Sequence, residues 1–117
     1  MSGFGEYVRK QRERLRSEDP QFSVRRLAAR VGIEPSYLSK IERAEQPPPS
    51  EKTVVALAKE LGEDPDMLLA LAGKISSDLA QIIRKRPQLF SQLIRELKKM
   101  PDKAVLRLVR EVRDGNW

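Results

Sequence analysis

Residues 23–43 read SVRRLAARVGIEPSYLSKIER, and they contain two short helical patterns that meet at a glycine. Apolar residues recur with helical spacing on each side of Gly32. Ser23 suits the N-cap of the first helix, and Gly32 suits the left-handed conformation that often ends a helix. Pro35 suits the first turn of the second helix, because its missing N–H has no partner there. The sequence therefore predicts two helices joined by a tight turn.

The second helix of this pair carries a run of polar side chains along its outer face. A helix, a tight turn and a second helix with such a face fit a motif that reads the major groove of DNA. Each polar side chain has more than one interpretation, such as a base edge, a phosphate, or packing against the protein itself for the tyrosine. The arginine has a further alternative, which is an ion pair with a neighbouring acid. The candidate base contacts are Ser36, Tyr37, Lys40 and Arg43.

Two arginines, Arg25 and Arg26, open the first helix of the pair. Basic side chains at a helix N-terminus oppose the helix dipole, and an anionic partner would resolve that conflict. We therefore expect one or both to contact a DNA phosphate. Ser50 and Lys52, at the start of the fourth helix, are weaker candidates for the same role.

The chain resembles the Xre-type, lambda-repressor-like helix-turn-helix family over roughly residues 5 to 72. The resemblance implies a five-helix DNA-binding domain, and it adds Pro35 to the candidate base contacts, because that position is often a polar, base-contacting residue. Val24 stands where many members carry glutamine, and Ala44 replaces a common glycine. The matching pieces are Leu27-Ala28, Gly32, Tyr37-Leu38-Ser39, Ile41-Glu42-Arg43, Pro48 or Pro49, and the helix from Thr53 to Gly62.

The whole chain is predicted to be all-α, since period-2 alternation typical of strands is nearly absent. Five helices are expected in residues 1–73, the helix-turn-helix domain, and three more in residues 74–117, a dimerisation or interaction segment. The expected helices cover about 3–16, 24–31, 35–44, 50–61 and 64–72, and three later ones begin at Ser76 or Ser77, at Pro87 and at Pro101.

Helical periodicity also predicts which faces are buried. In the first helix the inward side chains are expected to be Phe4, Tyr7 or Val8, Gln11 and Leu15, and the outward ones Arg9, Lys10, Arg12, Arg14 and Arg16. In the fifth helix Met67 or Leu68 is expected to be buried together with Leu71. Glu42 and Glu45 are interpreted as ordinary solvent-facing residues. The remaining expected core consists of Leu27, Ala28, Val31, Ile33, Leu38, Ile41, Val54, Leu57 and Leu61.

Charge is distributed unevenly along the chain, whose formal net charge is +6. Residues 9–43 carry ten Lys or Arg against five Asp or Glu, and residues 75–117 carry the same numbers, whereas residues 44–74 are net acidic. The first basic block coincides with the expected DNA reader, as attraction to phosphate requires. Taken without the motif, such runs are also typical of solvated helix faces.

Residues 75–117 are too few for a robust independent core, and the chain has no cysteine to staple them. Their apolar faces must therefore cover the first five helices, a second copy, or a different protein, and a homodimer is preferred. The candidate residues are Leu79, Ile82, Ile83, Phe90, Leu93, Ile94, Leu97, Val105, Leu108 and Val112. An antitoxin-like or protease-sensed tail that binds a protein partner is the alternative, to which Trp117 also points.

Catalysis is not expected, because the chain has neither histidine nor cysteine and therefore lacks the commonest general base and the thiol nucleophile. The same composition removes the favoured zinc ligands, so no metal or cofactor is expected. No segment is apolar enough to span a membrane. Together with the resemblance, these features predict a cytoplasmic, bacterial or phage transcriptional regulator. The expected form is a dimeric repressor that binds double-stranded DNA at a two-fold symmetric operator.

Overall fold

A computed structural model describes residues 3–115, and within that range the chain forms eight α-helices, one short 3-10 helix at Pro20–Phe22, and no strand. The all-α prediction is therefore confirmed. In chain order the helices are α1 (Phe4–Arg16), α2 (Val24–Val31), α3 (Pro35–Glu42), α4 (Glu51–Leu61), α5 (Pro65–Leu71), α6 (Ser77–Lys85), α7 (Pro87–Lys98) and α8 (Asp102–Asp114). Trp117 lies outside the described residues. None of the described helices is long and apolar enough to cross a bilayer.

The predicted turn between the two short helices has the expected local geometry. The Ser23 hydroxyl accepts a hydrogen bond from the Arg26 backbone N–H at 3.2 Å and so caps α2. Gly32 follows with φ of 86°, the left-handed conformation in which its own N–H donates to the Ala28 carbonyl. Pro35 occupies the first turn of α3. Helix α3 ends at Glu42, two residues before the predicted end.

The chain divides into two compact units, Met1–Ser76 and Ser77–Trp117. The first contains α1 to α5 around one hydrophobic core, in which α4 packs on α5 and α3 packs on both α1 and α2. Most of the expected core residues are buried, while Val31 and Ile33 are only partly buried at its edge. The buried core residues are Phe4, Val8, Leu27, Ala28, Leu38, Ile41, Val54, Leu57, Ala58, Leu61, Leu68 and Leu69.

Expectations about the buried faces of α1 and α5 were wrong. Arg12 was placed on the outer face of α1, but only 4% of it is exposed. In α5 the buried pair is Leu68 and Leu69, whereas Leu71 is 37% exposed. Helix α5 has only two turns, and apolar residues occupy most of its circumference. Periodicity therefore does not determine which of these residues faces α4.

The second unit contains α6 to α8, and none of its described residues, 77–115, is buried. Helix α6 contacts α7. The ten apolar residues predicted to mediate association divide into two groups. Ile83, Phe90, Leu97, Val105 and Leu108 are partly buried, whereas Leu79, Ile82, Leu93, Ile94 and Val112 are exposed.

Ala44 lies just after α3 with φ of 60°, and it is the one described residue other than glycine with a positive φ. An L side chain in this conformation costs about 1–2 kcal/mol, which glycine avoids. Glycine in turn adds conformational freedom to the unfolded chain, so the two effects partly cancel. We expect Ala44→Gly to stabilise the protein by about 0.5–1 kcal/mol, measured by urea denaturation.

Ala70→Gly is the matched control, because Ala70 is an exposed alanine within α5. There the same change should destabilise the protein by about 1 kcal/mol. If both substitutions changed the stability in the same direction, the role assigned to the backbone at Ala44 would be contradicted.

Candidate nucleic-acid interface

Helix α3 has one buried side and one side open to solvent. Its buried residues are Leu38, Ile41 and Glu42. Residues three and four apart lie on the same face of a helix. The polar residues at positions 36, 39, 40 and 43 therefore share the side opposite the buried one. Three of them, Ser36, Lys40 and Arg43, are exposed, and a fourth, Ser39, is partly buried on the same side.

The other two candidate base contacts on α3 are less accessible. Tyr37 is partly buried and packs against the hydrophobic core, as the alternative interpretation of this residue held. Pro35 is also partly buried. The accessible polar surface of α3 is therefore built mainly from serine, lysine and arginine.

A buried ion pair joins the inner side of α3 to α1. The Arg12 guanidinium donates from Nε to one Glu42 carboxylate oxygen at 2.7 Å and from Nη2 to the other at 2.8 Å. Its Nη1 donates to the Phe22 carbonyl at 3.2 Å. The hydrogen bond to Glu42 raises the pKa of Arg12, so the arginine stays charged throughout the accessible pH range.

The interpretation of Glu42 as a solvent-facing residue was therefore wrong, since only 6% of it is exposed. A bidentate arginine–carboxylate pair fixes orientation as well as distance. Arg12 thus holds α3 against α1 and against the segment that precedes α2. The expected solvent-facing position of Glu45 is correct, because its side chain is 53% exposed.

A shallow depression beside the exposed side of α3 is lined by residues from three helices. Arg9 of α1, Val24 of α2, and Ser39 and Arg43 at the end of α3 all line it. The N-terminus of α2 therefore adjoins the polar side of α3. Arg25 and Arg26, which follow Val24, are exposed, and the first turn of α2 contains no acidic residue.

Arg9 and Ser39 are two residues of this surface that the sequence interpretation missed. Ser39 lies three positions after Ser36, so helical spacing alone gave a signal for it. Arg9 had no such signal, because its place beside α3 depends on how α1 packs. Its guanidinium donates to Glu13 at 3.0 Å, and this hydrogen bond lowers the pKa of the Glu13 carboxyl.

Arg43 forms an ion pair with Glu45, and the side chains of both are more than half exposed. Exposed ion pairs contribute little to stability, so Arg43 can exchange this partner for another anion. The structure therefore contains the alternative predicted for Arg43, an ion pair with a neighbouring acid.

The remaining two candidates lie at the start of α4. Ser50 caps this helix by accepting a hydrogen bond from the Thr53 N–H at 3.4 Å, and Lys52 is exposed. Neither residue lines the depression beside α3, and the first turn of α4 already contains Glu51. These features make the start of α4 a poorer phosphate site than the start of α2.

Two helices joined by a glycine turn, with the second helix exposed and braced from behind, define a helix-turn-helix DNA-binding regulator. A family model described as a helix-turn-helix domain matches residues 4–71, which is more than half of the chain. The chain belongs to this family, in its Xre/Cro-like branch, and the resemblance found in the sequence is confirmed. Proteins of this family are generally not enzymes. Searches of curated proteins and of solved structures gave no significant match.

Proposed function

We propose that the protein is a sequence-specific transcriptional regulator that acts as a dimeric repressor at a two-fold symmetric operator. The observation that carries this proposal is the exposed polar side of α3, held in place by the buried pair between Arg12 and Glu42. A helix that enters the major groove must keep its orientation while its side chains meet base edges. The bidentate pair supports that requirement from the opposite side of the helix.

Base reading is assigned to the polar residues of α3. Ser36 and Lys40 lie one turn apart, so they reach neighbouring base pairs. Lys40 donates to acceptor atoms of guanine, and Arg43 has the geometry for a bidentate guanine contact once it leaves Glu45. Pro35 and the accessible edge of Tyr37 offer apolar contact to a thymine methyl group.

Phosphate contacts are assigned first to Arg25 and Arg26, beside the N-terminus of α2. They neutralise phosphate and set the register of α3 along the groove, but they carry no direct sequence information. Ser50 and Lys52 are secondary candidates on α4. Because phosphate contacts release counterions, the affinity should fall steeply as salt is added.

Dimer formation is assigned to the second unit, which exposes large apolar residues on each of its three helices. Two copies of α3 would then read half-sites about 34 Å apart, one turn of DNA. Repression would follow by occlusion, because a protein bound across a promoter excludes polymerase. Selection of bound DNA from a random pool tests specificity and half-site spacing together. Recovery of no common sequence would overturn the proposal.

Removal of the Lys40 side chain should affect specific binding more than non-specific binding. With Lys40→Ala we expect the Kd for the selected site to rise about tenfold or more, since a good base contact contributes about 1–3 kcal/mol of discrimination. The Kd for random DNA should rise much less. Both are measured by fluorescence anisotropy at one fixed salt concentration.

Lys59→Ala is the matched control, because Lys59 is an exposed lysine of α4 outside the proposed contacts. It removes the same charge from the protein. Equal losses in the two variants, or equal losses on selected and random DNA, would remove Lys40 from the base-reading surface.

A further inference from the structure

The second unit exposes eight large apolar side chains along its three helices, and exposed apolar patches are typical of association surfaces. Its described residues include no buried side chain, so its three helices have no core of their own. The exposed apolar residues are Leu79, Ile82, Leu89, Leu93, Ile94, Leu106, Val109 and Val112, with exposures from 37% to 63%. Exposed apolar residues of this kind favour association, although one contact need not include all of them.

Helix α7 differs from its neighbours in its charge pattern. Residues 87–94 contain no charged residue and form the longest uncharged stretch of the chain. Within this stretch Leu89 is 63% exposed and Leu93 is 44% exposed. The two leucines are four residues apart and therefore form a continuous apolar stripe along one side of α7. Partly buried Phe90 lies on an adjacent side.

We infer that this stripe of α7, defined by Leu89 and Leu93, is the centre of a contact with the same stripe in a second copy of the chain. The inference rests on the dimer in the proposed function and specifies which surface forms it. Two-fold symmetry brings identical patches together, so a charge near the axis meets its own copy and a patch with one sign of charge meets the same sign. A patch without charges avoids that repulsion.

The charge pattern also indicates whether the partner is a second copy of the chain or a different protein. The second unit carries a net positive charge, with ten Lys or Arg and five Asp or Glu in residues 75–117. A foreign partner recognised by this charge would be acidic and would meet basic residues beside the apolar stripe. Along residues 87–94 the polar neighbours are Gln88, Ser91 and Gln92, which are neutral. This neutral surface matches a second copy better than an acidic partner.

Leu93→Glu tests the inference in the full-length protein. We expect the dimer dissociation constant to rise roughly a hundredfold, because the substitution places two carboxylates in the apolar centre of the contact. Analytical ultracentrifugation measures the change, and far-UV circular dichroism checks that the helices remain. Leu106→Glu is the matched control, since Leu106 is 54% exposed on α8 and outside the stripe. It should leave the dissociation constant within a few-fold of wild type.

Disulfide crosslinking gives a second readout that does not depend on breaking the contact. The chain contains no cysteine, so an introduced thiol is unique. Leu93 lies near the middle of α7, and therefore a two-fold contact brings its copies together whether the helices run parallel or antiparallel. Under mild oxidation Leu93→Cys should give covalent dimer efficiently, and Leu106→Cys should not.

A monomeric wild-type protein would overturn the inference, as would dissociation by Leu106→Glu alone or equal crosslinking of the two cysteine variants. The results that would overturn the α7 contact differ from those that would overturn base reading by α3. If the wild-type protein selects a specific DNA sequence but Leu93→Glu remains dimeric, the assignment of α7 is wrong and base reading by α3 stands. If Leu93→Cys crosslinks but selection recovers no common sequence, the assignment of α7 stands and base reading by α3 is wrong.

Discussion

Replacing Arg12 with methionine is expected to lower the free energy of unfolding by about 3–5 kcal/mol. The substitution leaves the Glu42 carboxylate buried, at 6% exposure, without the guanidinium that donates two hydrogen bonds to it. It also leaves the Phe22 carbonyl without its donor. Small domains are stable by only about 5–15 kcal/mol, so this loss is a large fraction of the stability expected for the first unit.

The double substitution Arg12→Met with Glu42→Leu is the informative control. Replacing both members of a buried ion pair by apolar side chains of similar size is often neutral or stabilising. The double variant should therefore recover most of the stability lost in Arg12→Met. Urea denaturation followed by circular dichroism measures all three proteins. A single variant as stable as wild type would show that the pair does not hold α3 in place.

DNA affinity separates the two contributions of the pair. We expect the double variant to fold, but without the fixed bidentate geometry behind α3. If orientation of α3 matters for base reading, the double variant should bind the selected site more weakly than wild type. Its affinity for random DNA should change less, because phosphate contacts tolerate small changes of orientation.

The turn between α2 and α3 was predictable because its determinants are local. A capping serine, a glycine with φ of 86° and a first-turn proline each act on the backbone within a few residues. The same reasoning gave the starts of α4 and α7. The departure of Ala44 from the family's usual glycine also had a structural meaning, since this position requires a positive φ.

The ion pair behind α3 was not predictable in the same way. Arg12 and Glu42 are thirty residues apart, and each alone has the composition of a solvent-facing helix residue. Amphipathic patterns treat every arginine as exposed, so a buried arginine is assigned to the wrong face. Arg9 at the interface was missed because its position depends on the packing of α1 against α3.

The apolar residues of the second unit show a different limit. Helical periodicity identified the stripes on α6, α7 and α8, but it treated each stripe as a single face. The structure divides them: Phe90 and Leu97 are partly buried, whereas Leu93 and Ile94 remain exposed. Leu89, the most exposed of the large apolar residues, was an alternative to Phe90 on the apolar face of α7 but was not among the residues predicted to mediate association. Helical periodicity indicates which side of a helix is apolar, but it does not indicate which neighbouring surface buries each side chain.

Gly5→Ala is expected to destabilise the protein by about 3 kcal/mol and to weaken specific DNA binding. A β-carbon on Gly5 would lie 2.0 Å from the Ile41 carbonyl oxygen and 3.1 Å from the Glu42 carbonyl oxygen. Both atoms belong to the backbone at the end of α3, so no side chain can rotate to make room. Overpacking a close contact typically costs about 1–3 kcal/mol, and a rigid backbone neighbour places this site at the upper end of the range.

Relief of that clash requires α1 to move away from α3, and the same movement would stretch the bidentate pair between Arg12 and Glu42. Gly3→Ala is the matched control, because a β-carbon there meets no atom within 4 Å. It changes only the N-cap of α1, where alanine in place of glycine costs about 1 kcal/mol, well below the loss expected at Gly5. Thermal unfolding and affinity for the selected DNA are measured for both variants. Equal stability of Gly5→Ala and Gly3→Ala would show that α1 and α3 are not in the close contact on which the orientation of the proposed reading helix depends.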